Sequence, residues 1–403
     1  MSPSSSKLSS RALRSLTLPR GQASRGICTS WLCVAIASAS QAQTPALKNA
    51  FAGVFRVGAA LNANQFFERD AKGAALIKAQ FNTITPENVL KWEHVHPQLT
   101  SYDFTEADRY VAFGEANGMF IVGHTLVWHS QTPRWVFQDS SGKPLTRDAL
   151  LARMKDHIQT VVGRYKGRIK GWDVVNEALN EDGTMRKSPW YDIIGDDFIV
   201  KAFQYAHEAD PAAELYYNDY NLENAAKRNG AAELVKKLQA QGIAIAAVGS
   251  QTHEKLYNTA TAAKLDTTIS VLGALGVKVN ITELDVDVLP AATRNRTADV
   301  GVTAQGALNA AVNPFAAGLP DSVQQQIAER YADFFRVFLK HRGTVDRVTF
   351  WGVGDGDSWL NDWPMRGRTN YPLLFDRQDL PKPAFDAVIQ TARQPARPVP
   401  YGG

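Results

Sequence analysis

From about Ala46 onward the chain alternates between two patterns. Short β-branched or aromatic runs end in polar residues or glycine. Longer stretches between them repeat apolar residues at spacings of three or four. Eight strand candidates result: 54–60 (VFRVGAA), 81–86 (FNTITP), 119–127 (MFIVGHTLV), 169–175 (IKGWDVV), 213–218 (AELYYN), 243–250 (IAIAAVGS), 277–282 (VKVNIT) and 347–353 (RVTFWGV). Helical spacing is clearest for Leu150, Met154, Ile158, Val161 and Tyr165 in 146–165, and for Val323, Ile327, Tyr331, Phe334 and Phe338 in 322–340. Thr146 and Ser322 are the expected N-caps. Eight strands alternating with helices over roughly 350 residues predict an α/β chain closed into a (β/α)8 TIM barrel. The competing open doubly wound sheet needs a Gly-rich phosphate turn after its first strand. Gly58-Ala59-Ala60-Leu61-Asn62 lacks the third glycine of such a turn. No linker divides the alternation, so one domain over 43–403 is expected. The longest irregular stretch is 286–321, and 393–403 reads as a frayed end.

Residues 1–42 have a different character. They hold Lys7, Arg11, Arg14, Arg20 and Arg25 and no acid. The apolar run WLCVAIA (31–37) follows, then Ser40-Gln41-Ala42, with small residues at −3 and −1 of a cleavage site. This is the pattern of a secretory signal, so a secreted or periplasmic protein is expected. The formal charge of the 403 residues is +4, which on its own suggests an anionic partner. Without the five N-terminal bases, 39 bases face 40 acids, and a nucleic-acid partner loses its electrostatic support. Both cysteines, Cys28 and Cys33, lie in the same segment, so the remaining chain has neither disulfide nor thiolate ligand. No run approaches the ~20 apolar residues of a membrane span. The chain is expected to leave the membrane after signal cleavage and to work as a monomer.

In a barrel, residues at the C-terminal ends of the strands form the reactive face. Polar residues cluster at the predicted ends: Glu87, Asn88 and Lys91 after strand two, and His124 to Gln131 at the end of strand three. Asn176-Glu177 follows strand four, Asn218 to Asn221 strand five, Gln251-Thr252-His253 strand six, and Glu283-Leu284-Asp285 strand seven. Trp351, Asp355, Asp357 and Trp359 close the circle. Glu177 and Glu283 stand at matched positions across the mouth. Two such carboxylates can cleave a glycosidic bond, one giving a proton to the leaving oxygen and the other attacking the anomeric carbon. His253 is placed to hold Glu283 ionised, with Asp285 orienting it. Trp128, Trp351 and Trp359 offer indole faces for sugar rings, whereas Trp92 and Trp172 read as core. His124, His129 and His253 lack HExxH or comparable ligand spacing, so no metal or other cofactor is expected. GVGDGDSW carries two acids and no base, the wrong sign for a phosphate cradle.

At these residues the chain resembles glycoside hydrolase family 10, the retaining endo-β-1,4-xylanases. The resemblance runs from about residue 51 to 390. It is carried by ITPENVLKWE (84–93), GHTLVWHSQTPRW (123–135), WDVVNEAL (172–179), YYNDYNLE (216–223), GSQTHE (249–254), ITELDV (281–286) and FWGVGDGDSW (350–359). It implies that Glu177 is the acid/base, Glu283 the nucleophile, and xylan the partner. It further implies that Asn176 binds the 2-hydroxyl at the cleavage site and that His253, backed by Asp285, supports the nucleophile. Lys91, His124, Trp128, Gln251, Trp351 and Trp359 would line the −1 sugar site. Glu87, Asn88 and Gln131, sharing Lys91, would bind the next sugar outward, and Tyr220 and Asn218 would face the leaving group. Trp351 and Trp359 would crowd the space of a hexose hydroxymethyl group, favouring xylose. Two departures stand out: Gly354, where relatives carry a larger residue and the pocket edge is expected to open, and the long 286–321 stretch. A cellulase barrel, a non-catalytic xylan-binding protein and a nucleic-acid-binding protein are the competing readings.

Overall fold

The computed structural model describes residues 45–292 and 307–393. The expected signal with its cleavage site and nearly all of the expected frayed tail lie outside the described residues. Eight parallel strands close on themselves: β1 Arg56–Leu61, β2 Thr83–Pro86, β3 Phe120–Val127, β4 Gly171–Asn176, β5 Glu214–Asp219, β6 Ala247–Ser250, β7 Lys278–Asp287 and β8 Val345–Phe350. Neighbours in sequence pair around the circle, and β1 pairs with β8 to close it. Each of the eight predicted strands is present, and helices run between them.

The boundaries shift by one to three residues at most strands and furthest at two, both beside the reactive face. Strand β6 begins at Ala247, four residues later than the 243–250 run. Strand β7 continues to Asp287, five residues beyond its predicted end. A short strand, His253–Lys255, pairs with Asp285–Asp287 and carries β7 onward. Glu283 and Asp285 therefore sit inside β7 and not beyond it. Register shifts interrupt the β3–β4, β4–β5 and β7–β8 ladders near His124, Asp173 and Leu284. Such irregularities re-aim side chains, and these lie on strands that carry the site.

Helix α1, Arg147–Arg164, follows the predicted spacing, and Thr146 Oγ1 caps it by accepting the Ala149 N–H at 3.3 Å. Helix α2, Asp321–Lys340, starts one residue before Ser322, and Pro320 is the N-cap. The fixed φ of proline suits a helix entrance, so Ser322 stands in the first turn instead of capping it. Val323, Ile327, Tyr331, Phe334 and Phe338 are all buried. Full burial of such a side chain is worth about 1.5–3 kcal/mol, which fixes the face that α2 turns to the barrel. Trp92 and Trp172 are core residues, as expected. Asp355, expected on the reactive face, is fully buried beneath it. It pairs with Lys382 at 2.8 Å, and the same Nζ donates to the Tyr371 and Leu373 carbonyls at 2.8 Å. This clasp ties the segment after β8 to helix α3, Pro383–Arg393. No helix among the described residues is long and apolar enough to cross a membrane.

Candidate active site

Glu177 is the first residue past β4, with φ of 56°. Its carboxyl is buried and accepts three hydrogen bonds. Trp128 Nε1 donates to Oε2 at 2.9 Å, while Gln251 Nε2 at 2.9 Å and Asn176 Nδ2 at 3.3 Å donate to Oε1. Burial pushes the Glu177 carboxyl above its ordinary value, and the negative charge of Glu283 adds to the rise. The Gln251 and Trp128 bonds and the Arg186 charge oppose the rise without cancelling it.

Glu283 has the opposite balance. Burial again favours the neutral form, but the His253 bond and charge, the His124 charge and the Asn218 bond outweigh it. The carboxyl is held below its ordinary value. Asn218 Nδ2 donates to Oε1 at 2.8 Å, and His253 Nε2 lies 3.1 Å from Oε2. His253 Nδ1 faces Asp285 Oδ2 at 3.0 Å. Burial works against the charged ring, yet the two carboxylates push His253 up to about 10. The two carboxyls are thus tuned in opposite directions, Glu177 toward holding its proton and Glu283 toward a carboxylate braced by the imidazolium of His253.

Asn218 corrects one expectation. Its side chain is wholly buried, and its amide hydrogens are used by Asn176 Oδ1 at 2.9 Å and Glu283 Oε1. Its Oδ1 accepts from Thr282 Oγ1 at 2.7 Å. Asn218 is therefore committed to Glu283 and Asn176 within the protein and holds the Glu283 carboxylate in place, with no amide hydrogen left to turn toward a leaving group. Gly249 on β6 leaves room for it, because a Cβ there would stand 2.3 Å from Asn218 Oδ1. Gly354 corrects another: a Cβ there would meet Asp376 O and Asp379 Oδ1 at 3.0 Å. The glycine lets a neighbouring turn pack close and opens no pocket edge.

The rest of the predicted set gathers into two groups. Lys91 Nζ, buried, donates to Gln131 Oε1 at 2.7 Å and Asn88 Oδ1 at 3.0 Å and lies 5.0 Å from the Trp128 ring centre. Burial pulls Lys91 below its ordinary value against the pull of Glu87, Glu283 and Glu177. Glu87, half-buried beside it, is raised by burial, with Lys91 opposing. On the other side Trp351 packs edge-on to His124 at 5.5 Å and to His253 at 6.3 Å. Trp359 donates through Nε1 to Asp285 Oδ2 at 2.8 Å and stacks on Trp363 at 4.9 Å. Tyr220 stands apart, reached through Arg186 at 2.8 Å. His124 Nδ1 bonds Asp173 Oδ2 at 2.9 Å, and His253 is held by Glu283 and Asp285, so neither ring stands as an open ligand. Among the described residues no His, Cys, Asp and Glu group is arranged to hold a metal ion.

Two buried carboxyls with opposite pKa shifts, one just past β4 and one on β7, rimmed by indoles and amides, are the parts of a glycoside-cleaving site. The sequence profile of glycosyl hydrolase family 10 matches residues 46–391. The chain belongs to that family. An endo-1,4-β-xylanase A of Xylanibacter ruminicola is 45% identical over 363 residues, covering 90% of this chain and 97% of that protein. A family 10 endoxylanase from a sugarcane soil metagenome has a solved structure with 45% identity and a TM-score of 0.81, covering 87% of this chain and all of that one. An intracellular xylanase of Thermoanaerobacterium saccharolyticum, solved as a mutant with xylotriose, shares 35% identity with a TM-score of 0.74, covering 86% and 99%.

Around the site of this family 10 hydrolase lie residues to which the sequence assigned no role, Asp219 of the strand-five cluster among them. Asp173 anchors His124. Asp219, buried, is pushed up to about 6 by burial against Lys227 and Tyr217. Lys227 lies 3.3 Å from the Tyr220 ring centre. A charged residue inside an apolar strand, as in WDVV, is a signal that could have found Asp173. Arg186 and Lys227 lie in loop and helix positions with no pattern.

Proposed function

We propose that this hydrolase is an endo-1,4-β-xylanase that cleaves internal β-1,4-xylosidic bonds of xylan in two displacements with retention. The observation that carries the reading is the pair of buried carboxyls at the ends of β4 and β7, Glu177 bonded by Trp128 and Gln251 and Glu283 braced by His253 and Asn218, which tunes Glu177 upward and Glu283 downward. Protonated Glu177 donates to the departing chain as ionised Glu283 attacks the anomeric carbon. The ester that forms removes the Glu283 charge, so the Glu177 pKa falls and its carboxylate then takes a proton from water. Asn176 is only 3.3 Å from Glu177 Oε1 and is available to the 2-hydroxyl of the bound sugar. Lys91, His124, Trp128, Gln251, Trp351 and Trp359 line the −1 sugar, and Glu87, Asn88 and Gln131 take the next one outward. Tyr220 faces the leaving side. Trp351 and Trp359, packed around His253, exclude a hydroxymethyl group and favour xylose. Residues 1–42 direct export, and the exported enzyme acts as a monomer. The xylanase names of the relatives and the xylotriose bound to one of them support the substrate class.

The test compares reducing-sugar release from xylan and from carboxymethylcellulose by the purified enzyme and its Glu283→Ala variant. The wild type is expected to favour xylan strongly, and the variant to be inactive. Equal rates on the two polymers would overturn the substrate. A variant retaining about a tenth of the rate would overturn the nucleophile, since such losses are normally far larger.

A further inference from the structure

The carboxyl of Glu177 stands on a turn in the left-handed region, which L side chains rarely occupy. The turn is Glu177-Ala178-Leu179, with no glycine or asparagine to favour it. Its surroundings must therefore hold it. All six backbone groups of these residues have partners. The Glu177 N–H donates to Asn218 O at 2.8 Å, the Ala178 N–H to Tyr217 Oη at 3.2 Å, and the Leu179 N–H to Asp219 Oδ2 at 3.4 Å. The three carbonyls all go to one residue. Arg186 Nε donates to Glu177 O at 2.9 Å, its backbone N–H to Ala178 O at 2.7 Å, and a terminal guanidinium nitrogen to Leu179 O at 3.3 Å. That same nitrogen donates to Tyr220 Oη at 2.8 Å.

We propose that Arg186 is a positioning residue for the general acid: it clamps the three carbonyls of the 177–179 turn and so fixes the direction from which the Glu177 carboxyl meets the leaving oxygen. The proposal rests on the reading of Glu177 as the acid/base. The loop brings Arg186 back beneath Glu177 through a bridge between Leu179 and Met185 and turn bonds at Asn180 and Gly183. The planar fork suits the task, because its nitrogens reach separate oxygens from one rigid group, which a lysine ammonium does not. The Tyr220 bond ties the acid to a residue on the side where the cleaved chain departs. Tyr220 is steadied in turn by Lys227, which lies over its ring and bonds Asp219 Oδ1 at 3.0 Å.

The test separates acid positioning from general damage by the leaving group. Xylotetraose needs a proton on its departing sugar oxygen; dinitrophenyl β-xylobioside does not. kcat/KM is measured on both for the intact enzyme, Arg186→Met, Arg186→Lys and Glu177→Ala, with a thermal melt of each. Arg186→Met is expected to lose roughly 10–100-fold on xylotetraose and less than about threefold on the aryl substrate, as misplacement of one catalytic group would give. Arg186→Lys keeps the cation but not the fork and is expected to show most of the same selective loss. If Arg186→Met does not fold, the lysine variant decides. Equal losses on the two substrates, or a lysine variant with the wild-type ratio, overturn the proposal. Glu177→Ala must itself show the selective pattern. If it does not, the acid/base reading falls and takes the proposal with it, whereas a failure confined to Arg186 leaves that reading standing.

Discussion

Replacing His253 by glutamine tests what holds Glu283 ionised. His253 lies between two carboxylates, 3.1 Å from Glu283 Oε2 and 3.0 Å from Asp285 Oδ2, and its pKa is pushed up to about 10. Glutamine keeps a neutral N–H donor near Oε2 and removes the positive charge. Either donor bonds a carboxylate, so what glutamine loses is the Coulomb attraction of the imidazolium, about 1–4 kcal/mol at ~4 Å for effective dielectric constants of ~80 to ~20. At 1.36 kcal/mol per unit that is ~1 pH unit or more. Burial, which already favours the neutral carboxyl, is then opposed mainly by the His124 charge and the Asn218 bond. The sign follows directly. Glu283 acts only when ionised, and its pKa is held below the ordinary value, so the acidic limb of kcat/KM lies at low pH in the wild type. In His253→Gln the pKa rises and the limb moves to higher pH by ~1 unit or more. The assay is kcat/KM against pH on dinitrophenyl β-xylobioside, where protonation by Glu177 is not required and the acidic limb isolates Glu283. A limb that stays in place, or moves to lower pH, refutes the reasoning.

Trp128→Phe removes a donor that favours ionised Glu177, so the Glu177 pKa rises further and the alkaline limb on xylan is expected to move up by ~1–2 pH units, from the ~1.5–3 kcal/mol of such a bond. Gly249→Ala forces a methyl group against Asn218; overpacking is expected to cost about 1–3 kcal/mol in a melt, and disturbing the Asn218–Glu283 bond to lower kcat by about tenfold. Lys382→Met leaves the Asp355 carboxylate buried without its partner and is expected to cost about 3–5 kcal/mol of stability by denaturant titration, with KM for xylan unchanged.

The barrel was legible because strand and helix periods alternate cleanly, and the strand ends then located the polar residues. What escaped the sequence depended on contacts between segments far apart in the chain. Strand β7 runs on to Asp287 only because His253–Lys255 comes alongside it, a pairing that the local pattern of either segment does not announce. The apolar run at 243–250 overstated β6 because Ile243 and Ile245 lead into the strand without joining its ladder. Asn218 reads as an exposed strand-end amide, yet Gly249 leaves room for it and Thr282 bonds it where it reaches Glu283. Arg186 is nine residues beyond Glu177 in sequence and touches it only because the 179–185 loop folds back. Asp355 follows a strand end like the others, but Lys382, just ahead of helix α3, holds it in the interior.

The central claim is that Glu283 forms a covalent bond with the sugar while Glu177 handles the proton. A 2-fluorinated xylobioside with a good leaving group slows both steps and lets the glycosyl-enzyme accumulate, and peptide mass spectrometry then locates the attached sugar. The account predicts one xylobiosyl group per chain, on the peptide that contains Glu283. A label on Glu177 or any other residue, or hydrolysis of the reagent with inversion and no label, contradicts it.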